Sequence, residues 1–172
     1  EYIQGTLSTT LKKGERYNVS FYVSLAERSD FAVKQFGIRF SEFPVTVETT
    51  KVLSNMHFSK LKGDTSNRLE ITYSKFYSDE VEWIKLSQEF VANGTENFLI
   101  IGNFKNNRRT QKFQTKRKVT KGSYYYLDMV SVIKKNSTET NPVDYELNSI
   151  HVFKDVHFNF NESTFRTIDK KE

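Results

Sequence analysis

The sequence predicts an all-β fold, a sandwich or a barrel. Apolar and polar residues alternate with period two along most of the chain. Turn signals fall between the alternating runs, at Lys62-Gly63-Asp64, Asn93-Gly94 and Lys121-Gly122. Strands do not alternate with helical stretches as βαβ units would require.

The elements follow in order. "EYIQGTL" sets Tyr2, Gln4 and Thr6 against Ile3, Gly5 and Leu7, and "LKKGERY" turns around Gly14. "YNVSFYVSL" is the strongest strand: Tyr17, Val19, Phe21, Val23 and Leu25 share one face, and Asn18, Ser20, Tyr22 and Ser24 the other. "AERSDFAVK" has the best local chance of a helical turn or two. "FGIRF", "VTVETTKV", "FSKLKG", "LEITYSKF", "EWIKLSQEFVA" and "NFLIIGNF" read as further strands. "SYYYLDMVSVIKK" closes the series, with Tyr124, Tyr126, Asp128, Val130 and Val132 alternating with Tyr125, Leu127, Met129, Ser131 and Ile133. The polar, Pro142-bearing stretch 134–148 is the linker candidate.

Composition narrows the function classes. The 172 residues suit one domain, or one domain and a fragment. Fifteen Phe, nine Tyr and one Trp supply large apolar faces for a core. The absence of cysteine excludes disulfides, thiol nucleophiles and Cys-based metal sites, without fixing a compartment. No apolar run is long enough to cross a bilayer, and "EYIQGTL" has no features of a secretory leader, so the chain is expected to be cytosolic, processed or an internal segment. The net charge of +5 is local. Eight of 26 basic residues lie in 105–121 with no acid among them, and the rest of the chain is net −3.

Motifs for catalysis are sparse. His57, His151 and His157 lack metal-motif spacing, and no GxSxG, GxGxxG or P-loop occurs. Asp79, Glu80 and Glu82 crowd one turn, which reads as a solvated loop; a glycosidase pair must face across a cleft. Asn18, Asn93, Asn136 and Asn161 begin Asn-x-Ser/Thr sequons, relevant only in a eukaryotic secretory route. Trp83 falls on a largely polar face. It serves either as a platform for a sugar ring or as a rim residue covering the sandwich edge, and the rim reading is preferred. The basic segment, with Arg108, Arg109, Lys112, Lys116, Arg117 and Lys118, reads as a solvated hairpin or loop. Its positive potential suits an acidic protein or anionic head groups better than nucleic acid, since only Phe104 and Phe113 interleave with it.

Two resemblances sharpen these expectations. "EYIQGTLSTTLKKGERYNVSFYVSLAERSDFAV", "EWIKLSQEFVANGTENFLIIGNF" and "YYYLDMVSV" together resemble a jelly-roll module of the galactose-binding-like, carbohydrate-binding type. "YELNSIHVFKDVHFNFNESTFR" resembles the opening of an OmpA-like peptidoglycan-binding domain. The combined resemblance implies a jelly-roll β-sandwich over 1–134, lacking earlier strands, a linker over 135–152, and at 153–172 the first strand of a truncated α/β OmpA-like domain. Residue 1 is then expected to be internal. The face of Val156, Phe158 and Phe160 would be held by a partner or docked on the sandwich. Arg166 and Asp169 precede the family's binding loop, so this segment alone is not expected to bind peptidoglycan. In related modules an acid at the position of Asp128 can ligate a structural calcium. Here Met129 replaces the second acid, and a calcium site takes six to eight oxygens, so no cofactor is expected beyond that single candidate.

The resemblance implies a non-enzymatic protein of a Gram-negative envelope, at the outer membrane, periplasm or cell surface. Its jelly roll would dock outer-membrane or periplasmic proteins in a multiprotein complex, and the missing downstream domain would hold peptidoglycan. The alternative is a carbohydrate-binding module of a secreted or surface glycan-utilisation protein, with Trp83 or the tyrosines Tyr124 to Tyr126 as stacking surface. A hydrolase ranks last, for want of a nucleophile or an acid pair across a cleft.

Overall fold

A computed structural model of the chain describes residues 2–47, 51–53, 55–60, 64–115 and 122–135. The strands are β1 (Tyr2–Thr6), β2 (Arg16–Leu25), β3 (Phe31–Val33), β4 (Gln35–Ser41), β5 (Asp64–Thr72), β6 (Ile84–Val91), β7 (Phe98–Gly102), β8 (Lys112–Gln114) and β9 (Tyr125–Lys134), with one short helix, α1 (Asn55–Phe58). All pairings among them are antiparallel. One sheet runs β1-β7-β4-β5, a second β6-β2-β9, and β3 pairs with β8 in a two-stranded ribbon. The chain crosses directly between the two larger sheets at β1-β2, β5-β6 and β6-β7, and twice more through the ribbon strands β3 and β8, as in a jelly roll. The expected all-β sandwich is therefore present. The linker at 135–152 and the OmpA-like fragment at 153–172 lie outside the described residues, save Lys135.

Alternation explains the core. Tyr17, Val19, Phe21, Val23 and Leu25 of β2 are all buried. Tyr17, Val19, Phe21 and Val23 form one core cluster with Phe36, Ile38 and Phe40 of β4 and Leu99 and Ile101 of β7. Phe21 meets Phe36 edge-on at 6.1 Å, and Phe40 stacks on Phe90 at 4.5 Å. Each such side chain contributes about 1.5–3 kcal/mol by leaving water.

The back of the first sheet carries a second apolar cluster. Ile100 turns outward there, and Leu53, Phe58, Val45, Val47 and Phe104 cover it. Arg39, also facing out, is only 3% exposed, its guanidinium 3.9 Å from the centre of the Phe58 ring. The covering segment is stitched down by polar bonds. Val45 N–H donates to Gln4 Oε1 at 2.8 Å and Leu53 N–H to the Tyr2 hydroxyl at 2.9 Å. This corrects two expectations. "VTVETTKV" and "FSKLKG" form no strand where they are described; the first is irregular and Phe58 ends α1. Pro44 cannot donate to a ladder, and the apolar residues find burial on the back of the sheet without one.

"AERSDFAVK" likewise forms no helix. Ser29 N–H closes a turn onto Ala26 O at 2.9 Å, and β3 follows. Ser and Asp offer the backbone local partners that compete with a helix: Ser29 Oγ donates to Tyr124 O at 2.9 Å and accepts from Tyr124 N–H at 3.0 Å. "LEITYSKF" stops pairing at Thr72, beyond which Tyr73 to Tyr77 lie along β3 through Tyr73 N–H to Lys34 O and Tyr77 N–H to Val33 O. Glu96, wholly buried, organises the turn before β7. Its carboxylate accepts from the N–H groups of Asn93 at 2.7 Å and Gly94 at 2.8 Å, and from Asn67 Nδ2 on β5. Gly94 has φ +94°, a conformation that favours glycine.

Two predictions follow from these contacts. A Cβ on Gly37 would run into the Phe104 ring and lie 3.0 Å from the Gly102 carbonyl. Because Phe104 also packs on Tyr2 at 5.1 Å and Phe58 at 5.7 Å, Gly37→Ala is expected to destabilise by about 1–3 kcal/mol in urea unfolding. An unchanged midpoint would show that Phe104 yields freely. The second prediction concerns pH. Burial pushes the phenols of Tyr77 and Tyr125 from 10.0 up to about 12. The folded chain therefore holds these protons more tightly than the unfolded one. That stability is complete below pH 10.0, the unfolded value, and is lost as pH rises toward about 12. Tyr125→Phe should lower Tm near neutrality, since Val33 N–H loses its acceptor at 2.8 Å, yet flatten the alkaline fall. An equally steep fall in the variant would remove Tyr125 from the titration.

Candidate functional site

Among the described residues, no apolar layer like that on the first sheet lies over the outer face of the second sheet. Its central strand β2 points Asn18, Ser20, Tyr22 and Ser24 outward, flanked by Lys85, Ser87 and Glu89 of β6 and by β9 on the other side. Register sets these into rows. Lys85 pairs with Tyr22 and Tyr22 with Asp128; Ser87 pairs with Ser20 and Ser20 with Ser131; Glu89 pairs with Asn18 and Asn18 with Ile133. Ser24 pairs with Tyr126 at the end of the face nearest Trp83.

A bulge in β9 sets this arrangement. Ser20 pairs with Ser131 and Tyr22 with Asp128, so Met129 and Val130 both stand opposite Phe21. Met129 takes φ +49°, the left-handed region. The unbroken alternation expected from the sequence is thus interrupted. Tyr125 and Leu127 point inward before the bulge, and Val130 and Val132 after it, so all four join the core. Tyr126 and Asp128 point outward before it, and Ser131 and Ile133 after it. Without the extra residue one of the two halves would be turned inside out.

The floor of the face is small and polar, and its upper end is aromatic. Ser20 Oγ and Ser131 Oγ lie 2.9 Å apart, and Ser87 Oγ donates to Asn18 Oδ1 at 2.7 Å. Tyr126 is 49% exposed and donates to Glu27 Oε2 at 3.0 Å; Glu27 beside it raises its phenol pKa. Lys85 Nζ stands 5.9 Å from the Tyr22 ring centre. Lys135 pairs with Glu89 at 3.2 Å, so both signs of charge are present. The arrangement offers ring faces, hydroxyls, an amide and a carboxylate on one open strip, groups suited to a polar, uncharged ligand with ring surfaces.

The structure brings together some residues singled out from the sequence and separates others. Asp128 lies mid-face, with Oδ1 accepting its neighbour Met129 N–H at 2.7 Å. Among the described residues no group of three or more His, Asp or Glu could hold a metal ion, so the calcium reading gains no second ligand there. Trp83, 45% exposed, stands just before β6 at the rim, in line with the outward series Lys85, Ser87 and Glu89. Tyr124, exposed, precedes Tyr126 at the same end, its carbonyl accepting Ala26 N–H at 3.0 Å. Arg108, Arg109 and Lys112 lie elsewhere, in the turn before β8 and in β8 itself. Lys116, Arg117 and Lys118 lie outside the described residues, as do His151 and His157. Asp79 is structural: the N–H groups of Glu82 and Val81 bond its Oδ1 at 2.8 and 2.9 Å and hold its carboxyl below the usual range. Tyr22 and Lys85 were not singled out from the sequence. The available signal was one aromatic, Tyr22, among Asn18, Ser20 and Ser24 on the polar face of β2.

The bulge allows a test of the face's geometry. Met129 is 68% exposed, so substitutions there report mainly on the backbone. Met129→Gly should stay within about 1 kcal/mol of the parent, whereas β-branched Met129→Val should lose about 1–2 kcal/mol in thermal unfolding. Equal stability of the two variants would argue against a left-handed residue at the bulge.

No protein-family model and no curated protein matches the chain. Among solved structures, the CBM22-1 xylan-binding domain of Xyn10C from Paenibacillus barcinonensis is similar at 14% identity, covering 74% of this chain, with a TM-score of 0.38. The likeness covers 60% of that chain, less than two thirds of its length.

Proposed function

We propose that the chain is a non-catalytic binding module that takes a neutral glycan on the outer face of the β6-β2-β9 sheet. One observation carries this reading. Of the two large sheets, the first has its back covered by an apolar cluster, while the second presents Tyr22 and Tyr126 beside exposed Lys85, Ser87, Glu89 and Asp128. Sugar rings have apolar faces that stack on aromatic side chains and hydroxyl rims that exchange hydrogen bonds with Ser, Asn and carboxylate groups. Ser20, in the middle row of the strip, is short enough to let a flat ligand approach the sheet. Among the described residues the face is an extended strip, which suits a polymer chain. The envelope-docking reading rests on residues 153–172, and nothing in the described residues favours it over the glycan.

Isothermal titration against a panel of neutral polysaccharides (xylan, mannan, soluble cellulose fragments and mixed-linkage glucan) tests the proposal. At least one should bind, and Tyr22→Ala and Tyr126→Ala should each weaken it about three- to tenfold, the worth of one stacking ring. Absence of heat from the whole panel, or undiminished binding by both variants, would sink it.

A further inference from the structure

A different surface carries the basic charge. The β3-β8 ribbon pairs with neither large sheet, and all three residues of β8, Lys112, Phe113 and Gln114, are exposed. Among the described residues β8 pairs with β3 alone. Its lysines are held in place by rings. Lys112 Nζ sits 4.6 Å from the centre of the Phe31 ring on one face of the ribbon. Lys34 Nζ sits 5.7 Å from the Phe76 ring, which itself packs 5.8 Å from Phe113 on the other face. Arg108 and Arg109 are exposed in the turn just ahead of β8. Lys105, by contrast, is already paired with Glu70 at 2.8 Å.

We infer that the exposed edge of β8 binds an anionic polysaccharide, one bearing carboxylate or sulfate groups, with Lys34 and Lys112 as its principal cations. A free lysine loses rotamer freedom when it pairs with an anion, which cancels much of the gain. Stacked on Phe31 and Phe76, these two have already lost part of it, so pairing costs less. The backbone adds a donor. Lys34 N–H to Gln111 O and Thr115 N–H to Asp30 O bracket the ribbon's bonded pairs, so the N–H of Lys112 faces the free edge. Lysines cover the Phe31 and Phe76 faces, which among the described residues leaves Phe113, 53% exposed, as the one ring of the ribbon open to a base, and a single platform makes no stacking track for a nucleic acid. The choice of a sugar polymer over an acidic peptide rests on the glycan reading above; the charge argument does not.

Polygalacturonate immobilised for interferometry is the probe, read at low and at moderate salt. The chain should bind at about 20 mM NaCl and lose most of its affinity at about 300 mM, as screened surface charges do. The double variant Lys34→Gln/Lys112→Gln should bind about tenfold more weakly, since two ring-held cations are lost. The control Lys12→Gln/Lys13→Gln, with the same loss of charge on the far turn, should change little. Near-UV circular dichroism confirms that each variant is folded. Three results would overturn the proposal: no binding at low salt, an equal loss in the Lys12/Lys13 control, or tighter binding to oligothymidylate or poly-glutamate than to polygalacturonate. Failure of neutral glycans on the β6-β2-β9 face leaves this readout intact, because it concerns another surface.

Discussion

The packing of β2 against β4 is the constraint on which the rest of the structure depends. Val19, Phe21 and Val23 press on Phe36, Ile38 and Phe40, and each of the six is less than a tenth exposed. That single interface fixes which face of each strand points inward. β6 and β9 pair with β2 and inherit its facing; β5 and β7 pair with β4 and inherit the facing of β4. A shift of one residue in either central strand would bring Ser20 or Arg39 into the core, at a cost of several kcal/mol in unpaired polar groups. The register is therefore strongly specified, and so is the composition of both outer faces.

The two outer faces differ because their central strands differ. β4 sends out Arg39 and Gly37, a long cationic side chain and none at all. Phe104 can lie flat over Gly37, and the Arg39 guanidinium gives Phe58 a surface to stack on, so a second layer forms. β2 sends out Asn18, Ser20, Tyr22 and Ser24, which offer no continuous apolar surface to recruit such a layer. Two residues on β4 and four on β2 thus decide which side of the sandwich gains a second layer.

What could be read from the sequence follows the same division. β2 and β4 stand out because burial on one face leaves a period-two trace, and β7 stands out as a continuous apolar run because both its faces are covered. The segment 43–58 does not, because Val45, Val47, Leu53 and Phe58 are apolar for a reason unrelated to strand pairing. Apolar β-branched residues look the same whether they build a ladder or lie across one. β9 misled in another way. A single inserted residue, Met129, leaves each half of the strand alternating while reversing their relation, and no residue type marks the spot, since methionine replaces the glycine or asparagine usual at a positive φ. The candidate face was half legible. Trp83, Tyr124 and Asp128 were notable as isolated residues, but their relation to Tyr22 and Lys85 depends on pairing across strands more than 60 positions apart in sequence.

Charge is arranged to match. On the β6-β2-β9 face Lys135 meets Glu89 and Lys85 shares a row with Asp128, so positive groups stand beside negative ones. The local potential is then weak, and a neutral ligand pays little to approach. On the β8 ribbon the lysines are paired with rings. A ring holds an ammonium in position without neutralising it, so the positive potential survives into solution. The two surfaces adjoin at Ser29, whose carbonyl accepts from the Thr115 hydroxyl just after β8 and whose Oγ donates to Tyr124 O, and a Debye length of about 8 Å in physiological salt confines the ribbon's field to that neighbourhood. Under the proposed function one surface would read ring shape and hydroxyl pattern and the other charge.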